Sequence, residues 1–234
     1  MFSDPSKDFQ DTESAKLLSD IASKPKSQLG AYDFIIIFQP YCTPGTTIET
    51  VPFIDSLFTF LENSYFVDDF STVSTAWGDF NLWFRHNEKE LEYLGEKKRI
   101  HTKIEKLFRK MCTYGNEVGY DSLYVIVKKI ADAIECYVES VPIQERTIYL
   151  VSILNIFQES DILRGLIMLC IYRNSCNRYN NLKKAAIFEA YSLKELKSIL
   201  NDIVDKILKL QCVPKDLDDF LLECEDYLMF EKGL

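Results

Sequence analysis

From about residue 47 to the end of the chain, apolar positions recur at spacings of three and four, the period of a helix that buries one face. Pro52 suits the first turn of a helix over 51–63 that carries Phe53, Leu57, Phe60 and Leu61 on one side. Phe66, Phe70, Val73, Trp77, Phe80 and Phe84 then form an unbroken stripe, and at helical spacing such a stripe is read as core. Trp83 falls just off that stripe and is the better candidate for an exposed anchor. Leu91, Leu94, Ile104, Leu107, Phe108 and Met111 predict a charged helix over 87–113, ended by Tyr114-Gly115-Asn116 with Gly115 as its cap. Leu123, Val127, Ile130, Ile134 and Tyr137 predict a helix from Tyr120 to Glu139 that stops before Pro142.

Residues 143–172 change the pattern. Two strongly apolar runs, Ile148–Phe157 and Ile162–Tyr172, are separated by Gln158-Glu159-Ser160-Asp161. A helix apolar nearly all round has to be covered by protein or lipid. The polar break and Arg164 keep each run short of the roughly 18–20 apolar residues of a membrane span. A central helical hairpin is the expectation. Asn174–Asn181 then reads as a polar connection, and Asn181–Ala190 as a short helix. Ser192 and Glu195 form a capping box that opens a helix with Leu193, Leu196, Leu200, Ile203, Ile207 and Leu210 on one face. Pro214 starts a last helix, with Leu217, Phe220, Leu221, Cys224, Tyr227 and Leu228 turned inward.

The exceptions lie at the start. Residues 1–30 are rich in Ser, Asp and Lys and are expected to be a partly disordered, mobile tail. Residues 31–46 contain the run Tyr32–Phe38 followed by Pro40 and Pro44-Gly45, and are expected to be an extended apolar segment and a turn. The predicted fold class is therefore all-α, a compact multi-helix bundle or an irregular helical-repeat-like array, with its helical domain over 47–234. With 8 Gly and 7 Pro in 234 residues, the chain lacks the turn residues that a many-stranded β fold demands.

Charge and chemistry narrow the function classes. A formal charge of -9 works against general affinity for nucleic acid, which rests on Lys and Arg neutralising phosphates. The seven cysteines include no C-x-x-C pair, and His86 and His101 are not spaced to complete a zinc site. Reduced thiols are expected. The acidic N-terminal residues do not form a secretory signal, so an intracellular protein, cytoplasmic or nuclear, is expected. No phosphate-binding loop, dinucleotide fingerprint, metalloprotease or kinase signature occurs. No catalytic, cofactor-binding or metal-binding residue is assigned, no cofactor is expected, and the chain reads as a non-enzyme. Ala76-Trp77-Gly78-Asp79 resembles the Trp-Gly core of the first homology motif of Bcl-2-like proteins, without its preceding Asn and following Arg. Residues 162–191 have a loose cyclin-box rhythm without the charged Lys and Glu that anchor it, and no family is assigned.

Two charged surfaces remain. Arg99, Lys103, Lys106 and Lys110 recur at four, three and four and share one helical face, flanked by Lys97, Lys98 and Arg109. This face could grip phosphates or an acidic partner, with Arg173, Arg178, Lys183 and Lys184 as an extension and Tyr114 as a base-stacking residue. Asp216, Asp218, Asp219, Glu223, Glu225, Asp226 and Glu231 make an acidic counterpart. The reading preferred on sequence is an interaction module, an adaptor or small subunit of a multi-protein complex. Its partner-binding anchors are Phe34, Ile36, Phe38 and Trp83. A nucleic-acid-binding protein using the face at 95–110 is the alternative.

Overall fold

The computed structural model describes Trp77, Gly78, Asn81, Phe84, Arg85, Lys89, Leu91–Tyr93 and residues 95–177, 186–210 and 212–230. Every regular element among them is helical. They are α1 (Glu96–Glu117), α2 (Tyr120–Ser140), a 3-10 turn (Ile143–Glu145), α3 (Arg146–Ile156), α4 (Asp161–Asn177), α5 (Ala186–Ala190), α6 (Leu193–Ile207) and α7 (Lys215–Phe230). The predicted helix over 51–63 and the extended segment at 31–46 lie outside the described residues, as does the N-terminal tail.

Local chemistry sets the boundaries. The charged helix expected over 87–113 is interrupted at Gly95, whose φ of 73° is a conformation that glycine adopts without steric cost. It then runs past Gly115 to Glu117, so Gly115 is interior and not a cap. At the end of α2, Val141 is extended, as the residue before a proline prefers. The guanidinium of Arg146 caps that end: Nε donates to the Val141 carbonyl at 3.2 Å and Nη2 to the Glu139 carbonyl at 3.0 Å. The capping box of α6 forms as the sequence predicts. Ser192 Oγ accepts from the Glu195 amide at 3.3 Å, and Glu195 Oε2 accepts from the Ser192 amide at 2.7 Å. The Ser192 hydroxyl also donates to Glu195 Oε2 at 2.7 Å, and this bond, with that from the Ser192 amide, holds the Glu195 carboxyl below its usual range. Pro214 precedes α7, with Asp216 and Asp218 in the first turn where the helix dipole favours negative charge.

The chain divides between Leu107 and Phe108 into two units. In the first, Trp77, Phe84, Leu91, Ile100 and Ile104 are buried, and the ring of Phe84 lies 5.6 Å from that of His101. Trp77 and Phe84 thus take the core role predicted for the aromatic stripe; Phe66, Phe70, Val73 and Phe80 lie outside the described residues.

In the second unit the organising element is α4. Leu163 and Leu166–Tyr172 are all buried, so the helix has no solvent face through its middle. It packs against α2, α5, α6 and α7, and α7 also returns to α2. A closed set of this kind is a bundle around one central helix and not an array in which each element meets only its neighbours. The expected hairpin of the two apolar runs is corrected. α3 packs chiefly on α2 and α5, and leaves Ile148 70% exposed and Val151 and Ile156 half-buried. α4 continues to Asn177, through the first part of the polar connection expected at Asn174–Asn181, and the rest of that stretch lies outside the described residues. Among the described residues no helix is long and apolar enough to cross a membrane.

Two glycines permit close helix crossings. A Cβ on Gly165 would lie 2.5 Å from Ile203 Cδ1 and 3.1 Å from Ile199 Cγ2, both on α6. A Cβ on Gly115 would meet Leu163 Cδ2 at 2.9 Å and Cδ1 at 3.3 Å, both at the far end of one flexible side chain. β-Branched isoleucines are stiff at χ1, so α6 has to shift to admit a methyl group at Gly165. Gly165→Ala is therefore expected to lower stability by about 1–3 kcal/mol despite its better helix propensity. Gly115→Ala is expected to stay within about 1 kcal/mol of wild type. Urea denaturation of the two variants compares them, and equal midpoints would remove the steric account of the α4–α6 crossing.

Candidate functional site

The basic face predicted on α1 is uneven. Lys106 and Lys110 are exposed, whereas Arg99 and Lys103 are half-buried. The seam of α1, Ile100, Ile104, Leu107, Phe108 and Met111, takes up the adjacent side of the helix and covers part of those two cations. Arg99, Lys103, Lys110 and Tyr114 are moreover engaged within the protein and not free. The anchors Phe34, Ile36, Phe38 and Trp83 lie outside the described residues, as do Arg178, Lys183 and Lys184.

Arg173 does not extend the basic face. It closes the apolar run of α4 and turns into a polar cluster between α2, α4 and α7. Its Nη1 donates to Tyr124 Oη at 2.8 Å and to Glu223 Oε2 at 3.2 Å. Nη2 donates to Asn174 Oδ1 at 3.5 Å, and Asn174 Nδ2 donates to Glu135 Oε2 at 2.7 Å. The guanidinium lies 5.0 Å from the centre of the Phe220 ring, which in turn sits 4.9 Å from the Tyr124 ring. Lys128 covers Tyr124 with its ammonium 5.4 Å from the ring centre. One cation thereby ties the last helix to the two that carry the core. The sequence offers one signal for this: Arg173 is the first charge after an apolar run, where a buried helix needs a partner for it.

The Tyr124 hydroxyl and the Cys170 and Cys224 thiols near Arg173 are held neutral. Burial pushes the Tyr124 hydroxyl upward against the opposing pull of its Arg173 hydrogen bond. Burial also pushes the Cys170 thiol up to about 12 and moves the Cys224 thiol the same way. Cys224 Sγ points at the Leu169 carbonyl, 3.9 Å away. These thiols are packing groups at neutral pH. All six described cysteines are unbridged, and Cys212 is exposed.

A groove of about 420 Å³ lies where the start of α4 passes α6, beside the Gly165 crossing. Lys206 Nζ and Asp161 Oδ2 pair across it at 3.4 Å, with Asp161 largely in solvent and Lys206 partly so. Arg164 lines it with its Nε buried and without a hydrogen-bond partner among the described residues. Asp202 and Glu195 complete a mixed-charge rim, with Glu195 already committed to its cap. Among the described residues no group of three or more His, Cys, Asp or Glu side chains is arranged to hold a metal ion.

The acidic surface predicted near the C-terminus lies on α7. Asp216, Asp218, Asp219, Glu225 and Asp226 are exposed, as are Leu222 (54%) and Met229 (57%). Glu223 is the exception, drawn inward to Arg173. Glu231 lies outside the described residues.

No family model matches the chain, and neither a curated protein nor a solved structure does.

Arg173→Met keeps the alkyl volume but strips Tyr124 and Glu223 of their donor, and is expected to cost about 2–3 kcal/mol in urea denaturation. Glu223→Gln, at a site 43% exposed, is expected to cost less than about 1 kcal/mol. Equal losses would mean that the exposed ion pair, and not the buried cation, is what holds the cluster. Alkylation at neutral pH with peptide mapping is expected to label Cys212 and to leave Cys170 and Cys224 unmodified until the fold is denatured. Early labelling of Cys170 would contradict the neutral, packed thiol.

Proposed function

We propose that this chain is a non-enzymatic protein–protein interaction module, an adaptor or small subunit of an intracellular multi-protein complex. The observation that carries this reading is a set of aliphatic side chains on the outside of the second unit. Ile143, Ile148, Leu208, Leu222 and Met229 each keep more than half of their surface exposed. Ile148, Leu222 and Met229 sit on helices whose other faces supply core residues, while Ile143 lies in the 3-10 turn and Leu208 just past the end of α6. Covering such surface is worth about 25 cal/mol per Å² of apolar area removed from water, and a protein partner is the means of covering it. The polar cluster at Arg173 and the raised thiols support the same reading, because they serve packing.

The alternative, nucleic-acid binding through the face at 95–110, draws on Lys106 and Lys110. It is the weaker reading because Arg99 and Lys103 are half-buried. Affinity purification of the tagged full chain from its native cells, with and without nuclease and at low and high salt, separates the two. The expected result is one or more protein partners in stoichiometric amount that survive both nuclease and high salt. RNA or DNA released by salt, with no such protein, would overturn the interaction-module reading in favour of the basic face.

A further inference from the structure

The exposed side of α7 is more ordered than an ordinary solvated helix face. Leu217, Phe220, Leu221, Cys224 and Leu228 form its buried seam. On the opposite side, Leu222 and Met229 stand seven residues apart, two helical turns, and so line up along one edge. Asp218 and Glu225, also seven apart, run along one flank of that edge, and Asp219 and Asp226 run along the other. The surface is thus an apolar ridge with a carboxylate row on each side. In arrangement it corresponds to one half of a helix–helix seam, in which the ridge packs and the flanking charges choose the partner.

We infer that the outer face of α7 docks a basic amphipathic helix of a partner protein, the Leu222–Met229 ridge packing into its apolar seam and the two acidic rows pairing with Lys or Arg on either side. The inference rests on the reading of the chain as an interaction module and gives that module its partner chemistry. Charge decides against the obvious competitors. A second copy of α7 would set carboxylates against carboxylates along the whole ridge. The basic face of α1 in a second copy has the right sign, but none of its described residues is an exposed large apolar side chain that could meet the ridge. A partner therefore needs both features on one helix.

The probe is a labelled synthetic helix of three heptads with a leucine seam and lysine flanks, titrated into the full chain and read by fluorescence anisotropy. Two controls keep its length: one has glutamate flanks, the other keeps the lysines but carries serine in the seam. The lysine-flanked leucine peptide is expected to bind about tenfold or more tightly than either control. The double variants Leu222→Ser/Met229→Ser and Asp219→Lys/Asp226→Lys should each weaken it by about the same factor, and the second should lose the preference for lysine over glutamate flanks. All four positions are exposed, and unchanged circular dichroism and urea midpoints would show that the fold is intact. If wild type binds none of the peptides, or if the serine-seam peptide binds as well as the leucine one, the inference is overturned. In cell purification, a protein partner retained by both double variants would overturn the α7 site while leaving the interaction-module reading in place. No protein partner for wild type would overturn that reading itself.

Discussion

The second unit depends on the burial of α4. Through Leu163 and Leu166–Tyr172 the helix is closed to solvent, which requires neighbours on every side. α2, α5, α6 and α7 supply them, and each need be amphipathic only once. Burying each large aliphatic side chain of α4 is worth about 1.5–3 kcal/mol, so this helix is where the stability of the unit is concentrated. The close approach that such packing needs is built from absence of side chain: Gly165 lets Ile199 and Ile203 of α6 rest on the backbone of α4. A core of this density resists added volume as strongly as it resists cavities.

Charge in the unit is divided between an inner and an outer role. At the C-terminal end of α4, Arg173 enters a nearly closed environment and is compensated by Glu223, the Tyr124 hydroxyl and the faces of aromatic rings. The arrangement also consumes Glu223, the one described acid of α7 that faces inward. The remaining acids of that helix are left for solvent or a partner. The same helix thus seals the core with one face and offers a charged, ridged surface with the other. Cys170 and Cys224, beside the cation, are kept protonated by burial and add volume without reactivity.

Much of the helical framework was legible because helices announce themselves locally. Tyr120–Ser140, the α6 capping box and the inward seam of α7 follow from spacing of three and four, from Pro and Ser at the starts, and from Pro142 at a stop. The misplacements share one physical cause. Gly95 and Gly115 look alike in sequence, but one takes a positive φ and the other lies inside a helix against Leu163, and only the tertiary structure separates them. Arg173 misled for the same reason: a cation beside Asn-rich sequence reads as surface until Tyr124 and Glu223, about fifty residues away on either side, are brought to it.

What the sequence determined by itself was the class of the fold and the presence of a helix too apolar to face water. Period and capping are short-range properties, and they act within a few residues. What only the tertiary structure decided was which of two apolar runs became the centre. Ile148–Phe157 and Ile162–Tyr172 are nearly equal in composition, yet the first leaves Ile148 in solvent and the second is enclosed. The difference lies in neighbours distant along the chain, since α2, α6 and α7 converge on α4 while α3 meets chiefly α2 and α5. Burial is a property of that convergence, and no local pattern encodes it.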